Sequence, residues 1–224
     1  MTLGQMLRRS ALRRPGAEAV IDGRTRLTYA ALDARTDALA RGLGRARLAK
    51  GDRVIIVLKN RVEHVLVYWA LQKMGGVPTP VNVRLSPGEL RYVLEDSGAR
   101  LVFCEDATAL AVADAVRGRH VTLVHVGAGR PSGALPFDTL LAEGGLPEAE
   151  VAESDLSLIL YTSGTTGRPK GVPRTHANHV SGALAQALQG RYDWGERTLG
   201  VMPLYHTMGI HSLTSMMVVN GCSC

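Results

Sequence analysis

Between Asp52 and Val126 the chain alternates short β-branched apolar runs with stretches of helical period, and this alternation restricts the fold more than any other feature. Asp52 to Leu58 is a Val- and Ile-rich strand. Val62 to Met74 is helical and stops at Gly75-Gly76. Ser86-Pro87-Gly88-Glu89 is a capping box with proline at the first helical position, and Leu90, Val93 and Leu94 give that helix its apolar face. The helix ends at Ser97-Gly98. Leu101 to Cys104 and Val121 to Val126 read as further buried strands. Short apolar strands separated by helices predict an α/β fold with a mostly parallel sheet covered by helices.

The flanking regions fit that plan. Residues 3–14 form a basic amphipathic helix that ends before Pro15. Thr28 caps a helix whose Leu32, Thr36, Leu39 and Leu43 share one face. Gly127 to Pro136 is a turn-rich connection, Phe137 to Glu143 a short helix, and Pro147 to Asp155 an acidic loop.

That loop leads into the most chemically informative segment. Leu156 to Tyr161 is a short apolar run suited to a buried strand. It continues directly as Thr162-Ser163-Gly164-Thr165-Thr166-Gly167-Arg168-Pro169-Lys170-Gly171. A strand that ends in a flexible, hydroxyl-rich loop carrying one ammonium group can hold a polyphosphate. Glycines admit the anion close to the backbone, free N–H groups and hydroxyls donate to its oxygens, and the lysine supplies charge. Ordinary surface turns also use Gly, Ser and Thr, but they seldom follow a buried strand with a single lysine among hydroxyls. The chain has four lysines (Lys50, Lys59, Lys73 and Lys170) among 26 basic residues, so a lysine here departs from its habit of using arginine. The loop is not a Walker A loop. Pro169 removes an amide donor before the lysine, and Gly171-Val172-Pro173 argues against a helix starting there.

The run from Tyr161 to Gly171 resembles, almost letter for letter, the phosphate-binding signature of the adenylate-forming ligases, a superfamily that includes acyl-CoA and aryl-CoA synthetases. Other segments are similar to that family: Thr28-Tyr29-Ala30-Ala31-Leu32, Gly51-Asp52-Arg53-Val54, and Met202-Pro203-Leu204-Tyr205-His206-Thr207-Met208-Gly209. The resemblance implies that a carboxylic acid attacks the α-phosphorus of ATP, giving an acyl-adenylate and pyrophosphate, and that a thiol, usually that of coenzyme A, then displaces AMP. It implies that Thr162, Ser163, Gly164, Thr165, Thr166, Gly167 and Lys170 cradle the β- and γ-phosphates with a Mg2+ ion between. His206 would stand near the acyl carboxylate and α-phosphate, and Met208 and Gly209 would line the acyl pocket. Taken without the resemblance, a single histidine such as His206 is more often structural than catalytic.

The whole chain, residues 1–224, resembles only the N-terminal portion of such a ligase. The family's adenine-binding segment with its magnesium glutamate, its ribose-binding aspartate and its C-terminal lid domain with the adenylation lysine are not found in the sequence. Met216 to Cys224 reads as a helix end, a turn and the first residues of a strand. The expectation is a truncated chain, inactive alone. Tyr205 to Ile210 carries no carboxylate to pair with a substrate ammonium, which favours an acyl- or aryl-CoA synthetase over an amino-acid-activating domain. Met202 and Met208 hint at an apolar acyl pocket, whereas Met216 and Met217 read as core.

Other function classes stay open. One is a nucleotide- or phosphate-binding module without catalysis, with a homodimer admissible through surfaces otherwise covered. Another is a metal site drawing on His176, His179, His206, His211 and Cys222-x-Cys224; His176 and His179 stand three apart on a helix, but no second sharp cluster joins them, and no metal is expected. The net charge of +6 suits anionic substrates such as ATP and CoA. Nucleic acid is disfavoured because the arginines are scattered and there are only two Phe and two Trp. Three cysteines argue against a disulfide framework. No apolar run reaches the length of a membrane span, and the N-terminus lacks a signal peptide's apolar stretch, so the cytoplasm is the expected location.

Overall fold

The computed structural model describes residues 1–129, 131–143, 149–162 and 168–224. In chain order the elements are α1 (Leu3–Arg13), β1 (Glu18–Asp22), β2 (Thr25–Thr28), α2 (Tyr29–Arg45), β3 (Arg53–Val57), α3 (Val62–Met74), β4 (Val77–Pro80), α4 (Pro87–Ser97), β5 (Leu101–Glu105), α5 (Ala109–Val116), β6 (Thr122–Val126) and β7 (Leu135–Pro136). A short 3-10 turn (Phe137–Leu140) follows, and then β8 (Leu156–Thr162), β9 (Lys170–Thr175), α6 (His176–Gln189), β10 (Arg197–Thr198), α7 (Thr207–Val218) and β11 (Cys222–Ser223).

The expected parallel sheet is present, with strand order β4-β3-β5-β6-β7 and every pair parallel. Its two faces are covered separately. Ile56, Leu101 and Phe103 belong to the larger apolar cluster with α1, α2 and α3, while Ile55, Val57 and Cys104 face α4 and α5 in a second cluster. This is the alternation of a strand buried on both sides. Where one sheet was expected, three are found among the described residues. A four-stranded sheet has the order β10-β11-β1-β2, and β8 and β9 pair only with each other, antiparallel. The β1–β2 hairpin turns at Gly23, whose φ of 56° is open to glycine at no steric cost.

The helix boundaries follow the capping chemistry. Ser86 and Glu89 form the reciprocal capping box of α4, Thr28 accepts from the Ala31 amide at α2, and Gly75 closes α3 in the left-handed conformation. Strand β4 was not expected, because its sequence Val-Pro-Thr-Pro lacks two amide donors. The prolines fit because β4 is an edge. The flanking amides of Val77 and Val81 donate to the Asp52 and Ile56 carbonyls on the β3 side, and Pro78 and Pro80 alternate with Thr79 between them. Strand β8 packs beside β4 without joining its sheet.

Candidate functional site

The predicted anion loop lies between β8 and β9, which pair antiparallel. Alternate residues of β8 face inward, with Leu158 and Leu160 buried, and Gln72 of α3 donates to the Ser157 carbonyl at 2.7 Å. The last described pair of the ladder is Thr162 opposite Lys170, and both side chains are exposed. The hairpin therefore brings the first and last of the expected phosphate ligands together at the loop's base. Ser163, Gly164, Thr165, Thr166 and Gly167 lie outside the described residues.

Two other lysines show what an occupied ammonium looks like. Lys73 is buried and bridges Asp33 and Asp37 at 2.5 and 2.6 Å, and Lys50 pairs with Asp155 at 2.7 Å. Among the described residues no carboxylate pairs with Lys170. An exposed, uncompensated ammonium beside a hydroxyl suits an incoming anion.

The second predicted segment, Met202 to Gly209, is an irregular loop leading into α7. His206 is the N-cap of α7, and its Nδ1 accepts from the Met208 amide at 3.3 Å. That bond leaves the Nε2 side of the exposed ring for other partners. Gly209 is buried, and a Cβ there would overlap the Pro203 carbonyl, so its lack of a side chain lets the helix start close to the loop. A cavity of about 250 Å³ is lined by Val20, Asp22, Arg61, Met202, Gly209 and Ser212, among others. His206 and Met208 are outside that lining, and the Met208 side chain is 51% exposed. Met216 and Met217 are buried, as ordinary core.

Asn60 is a residue the sequence reading missed. Its Nδ2 donates to the carbonyls of Gly200 and Met202 at 2.7 and 2.9 Å, and its Oδ1 accepts from the Leu204 amide at 2.9 Å. One side chain after β3 thus templates the loop that delivers His206. No local pattern marks it, since its partners lie 140 or more positions away.

The two segments are tied through their elements. Arg174 of β9 donates to Nε2 of His211 on α7 at 2.6 Å. Among the described residues no hydrogen bond joins Lys170 to His206 themselves. The histidines offered for a metal site are separately engaged. His176 Nδ1 accepts from the Leu3 amide at 3.2 Å, His179 shares a hydrogen bond with Ser157, and His206 caps α7. Burial lowers His176 to about 4 and His179 to about 3, keeping both neutral near pH 7. Among the described residues no group of three or more His, Cys, Asp or Glu stands ready for a metal ion. Magnesium prefers oxygen ligands and keeps substrate phosphates in its shell, so the Thr162 hydroxyl fits an ion carried by a triphosphate rather than one caged by protein. No helix among the described residues is long and apolar enough to cross a membrane.

The family described as "AMP-binding enzyme" matches residues 7–224. The chain belongs to that family. Among curated relatives of this AMP-binding enzyme is the long-chain-fatty-acid–CoA ligase FadD13 of Mycobacterium tuberculosis, 33% identical over 210 residues. That alignment covers 93% of this chain and 42% of FadD13, so the chain spans less than half the length of such relatives. Among solved structures, a putative long-chain-fatty-acid CoA ligase from Rhodopseudomonas palustris superposes with a TM-score of 0.94 at 28% identity, over 100% of this chain and 56% of that one. The O-succinylbenzoate coenzyme A synthetase of Bacillus subtilis, solved with ATP and a magnesium ion, superposes with a TM-score of 0.83 at 26% identity, over 98% of this chain and 56% of that one. The AMP-binding enzyme fold thus accounts for the α/β architecture expected from strand–helix alternation.

Proposed function

We propose that the chain supplies the triphosphate-holding part of an AMP-forming acid–thiol ligase. In the first step a carboxylate oxygen attacks the α-phosphorus of ATP, the bond to the bridging oxygen breaks, and pyrophosphate leaves. In the second, the sulfur of coenzyme A attacks the acyl carbonyl and AMP departs. Negative charge grows on the leaving pyrophosphate, and donors fixed in advance lower that barrier. Thr162, Lys170 and the intervening Ser163, Gly164, Thr165, Thr166 and Gly167 hold the β- and γ-phosphates, with Mg2+ brought by the nucleotide. His206 attends the carboxylate and α-phosphate, with Met208 and Gly209 on the acyl side.

The observation that carries this reading is the register of Thr162 opposite an exposed Lys170, with which no carboxylate among the described residues pairs. The family membership and the +6 charge support it. The acid is a carboxylate without an ammonium group, because Tyr205 to Ile210 offers no counter-charge. The cytoplasm, which supplies ATP and CoA, is the location proposed for this activity.

Calorimetry with Mg-ATP tests the assignment. Replacing Lys170 by Ala is expected to weaken binding by about 1–3 kcal/mol, the worth of charge-assisted hydrogen bonds. Equal affinity in both proteins overturns it. The 224 residues alone are expected to bind without sustained turnover. Continuous pyrophosphate release from ATP, a carboxylic acid and CoA would refute that part.

A further inference from the structure

We propose that Tyr92 and Asp96, one turn apart on α4, are positioning residues that grip the two ends of the β8–β9 connection, at Tyr161 and Pro169, and fix the placement of Thr162 and Lys170. The inference rests on the triphosphate reading above and names the device that sets its geometry.

Both stems are held from the same helix face. The Tyr161 hydroxyl, on the β8 stem, donates to Asp96 Oδ2 at 2.5 Å. The Tyr92 hydroxyl donates to the Pro169 carbonyl at 3.1 Å, beside Lys170 on the other stem. The Arg168 guanidinium lies 5.7 Å from the centre of the Tyr92 ring, within cation–π range. Residues four apart on a helix stand one above the other, so Tyr92 and Asp96 form a two-point grip. Together they contact the β8 stem at Tyr161, just outside the Thr162–Lys170 pair, and the chain at Pro169, just on the loop side of it.

The hairpin is shaped to reach them. Tyr161 stands opposite Gly171 in the ladder. A Cβ at Gly171 would come within 3.1 Å of Ile159 Cγ2 and 3.2 Å of Tyr161 Cζ. The missing side chain therefore lets the Tyr161 ring lie across the neighbouring strand toward α4. Burial first, and then Asp96, holds the Tyr161 phenol well above its ordinary range, so it remains a donor at physiological pH.

Helix α4 is a firm base for the grip. It has a complete capping box, and Leu90, Val93 and Leu94 are buried against the parallel sheet. Neither polar contact is required for that burial. Their distinct contribution is the placement of the loop's two ends relative to a fixed helix, which is what preorganised anion binding demands.

The test uses the 224-residue chain and its Tyr92→Phe, Asp96→Ala, Asp96→Asn, Tyr161→Phe and Lys170→Ala variants. Hydrogen exchange of the amides of residues 161, 162, 168, 170 and 171, affinity for Mg-ATP and urea midpoints are measured for each. Tyr92→Phe and Asp96→Ala are expected to speed stem exchange about tenfold, because they open a local polar contact without unfolding the core. Mg-ATP affinity should fall about 3- to 10-fold in each, the scale of one hydrogen bond, with urea midpoints unchanged. Asp96→Asn keeps an acceptor oxygen and should restore most of the affinity lost in Asp96→Ala; a purely structural role predicts no such rescue. Wild-type stem exchange in Tyr92→Phe and Asp96→Ala overturns the grip. If Lys170→Ala weakens Mg-ATP binding and the α4 variants do not, the grip fails while the triphosphate reading survives. If Lys170→Ala leaves Mg-ATP binding untouched, the triphosphate reading fails, and the purpose assigned to the grip falls with it.

Discussion

The five-stranded sheet and the β8–β9 hairpin pack side by side but are held by different forces. In the sheet, Ile55, Ile56, Val57, Phe103 and Cys104 are buried on both faces, and its position is fixed by area removed from water. In the hairpin, Ser157, Leu158 and Leu160 are buried, and the far end carries two exposed polar side chains, Thr162 and Lys170. Only a few polar contacts locate that end. The framework tolerates little change in volume, whereas the exposed hairpin end can be altered chemically while the core stays folded.

The largest expected effect tests the framework. Phe103→Ala should cost about 3–5 kcal/mol by urea denaturation, because it leaves a void against Phe137 and the α3 face. A loss under about 1 kcal/mol would mean that the sheet is not the rigid partner in the comparison.

The histidines beneath the hairpin give the next effect. His179 is held neutral in the fold, lowered to about 3, and regains its ordinary value near 6.5 on unfolding. The unfolded chain therefore binds more protons as pH falls below 6.5, and stability is lost in that direction. Between pH 7 and pH 5 this group alone should remove about 2 kcal/mol. His179→Gln should flatten that part of the pH dependence. An identical slope would show that the ring is solvated.

Asn60→Ala should cost about 1–3 kcal/mol, because it strands two carbonyls and an amide of the 200–204 loop. The accompanying sign is faster exchange confined to residues 200–209. Exchange that rises across the whole chain instead would make Asn60 a general stability residue.

The smallest effect on folding belongs to Lys170→Ala, within about 0.5 kcal/mol of wild type in a urea titration, since the side chain is exposed. A larger loss would place Lys170 in the framework and erase the contrast with which this comparison began.

The sequence was most readable where structure is local. The capping box at Ser86, the cap at Thr28 and the glycines after Met74 set helix ends by contacts within a few residues, and each stands where it was expected. The β1–β2 hairpin carries an Asp22-Gly23 turn signal but has short strands without strict alternation. Strand β4 was hidden by its own prolines. The anion loop could be proposed from sequence because its chemistry is concentrated in one stretch, of which the described residues include Thr162 and Lys170. Asn60, Tyr92 and Asp96 could not, because their partners arrive from 65 to 144 positions away, where no periodic pattern reports them.

Pro78 and Pro80 bear on more than the outline of β4. A strand that presents prolines on its outer side is a dead end for ladder growth, so β8 can lie against it without being annexed. The hairpin keeps its own two-stranded register, and among the described residues its strands share no ladder with the neighbouring sheet. Two imino acids thereby keep the hairpin's backbone ladder separate from the slab it leans on, which gives natural selection room to retune the hairpin without recasting the slab.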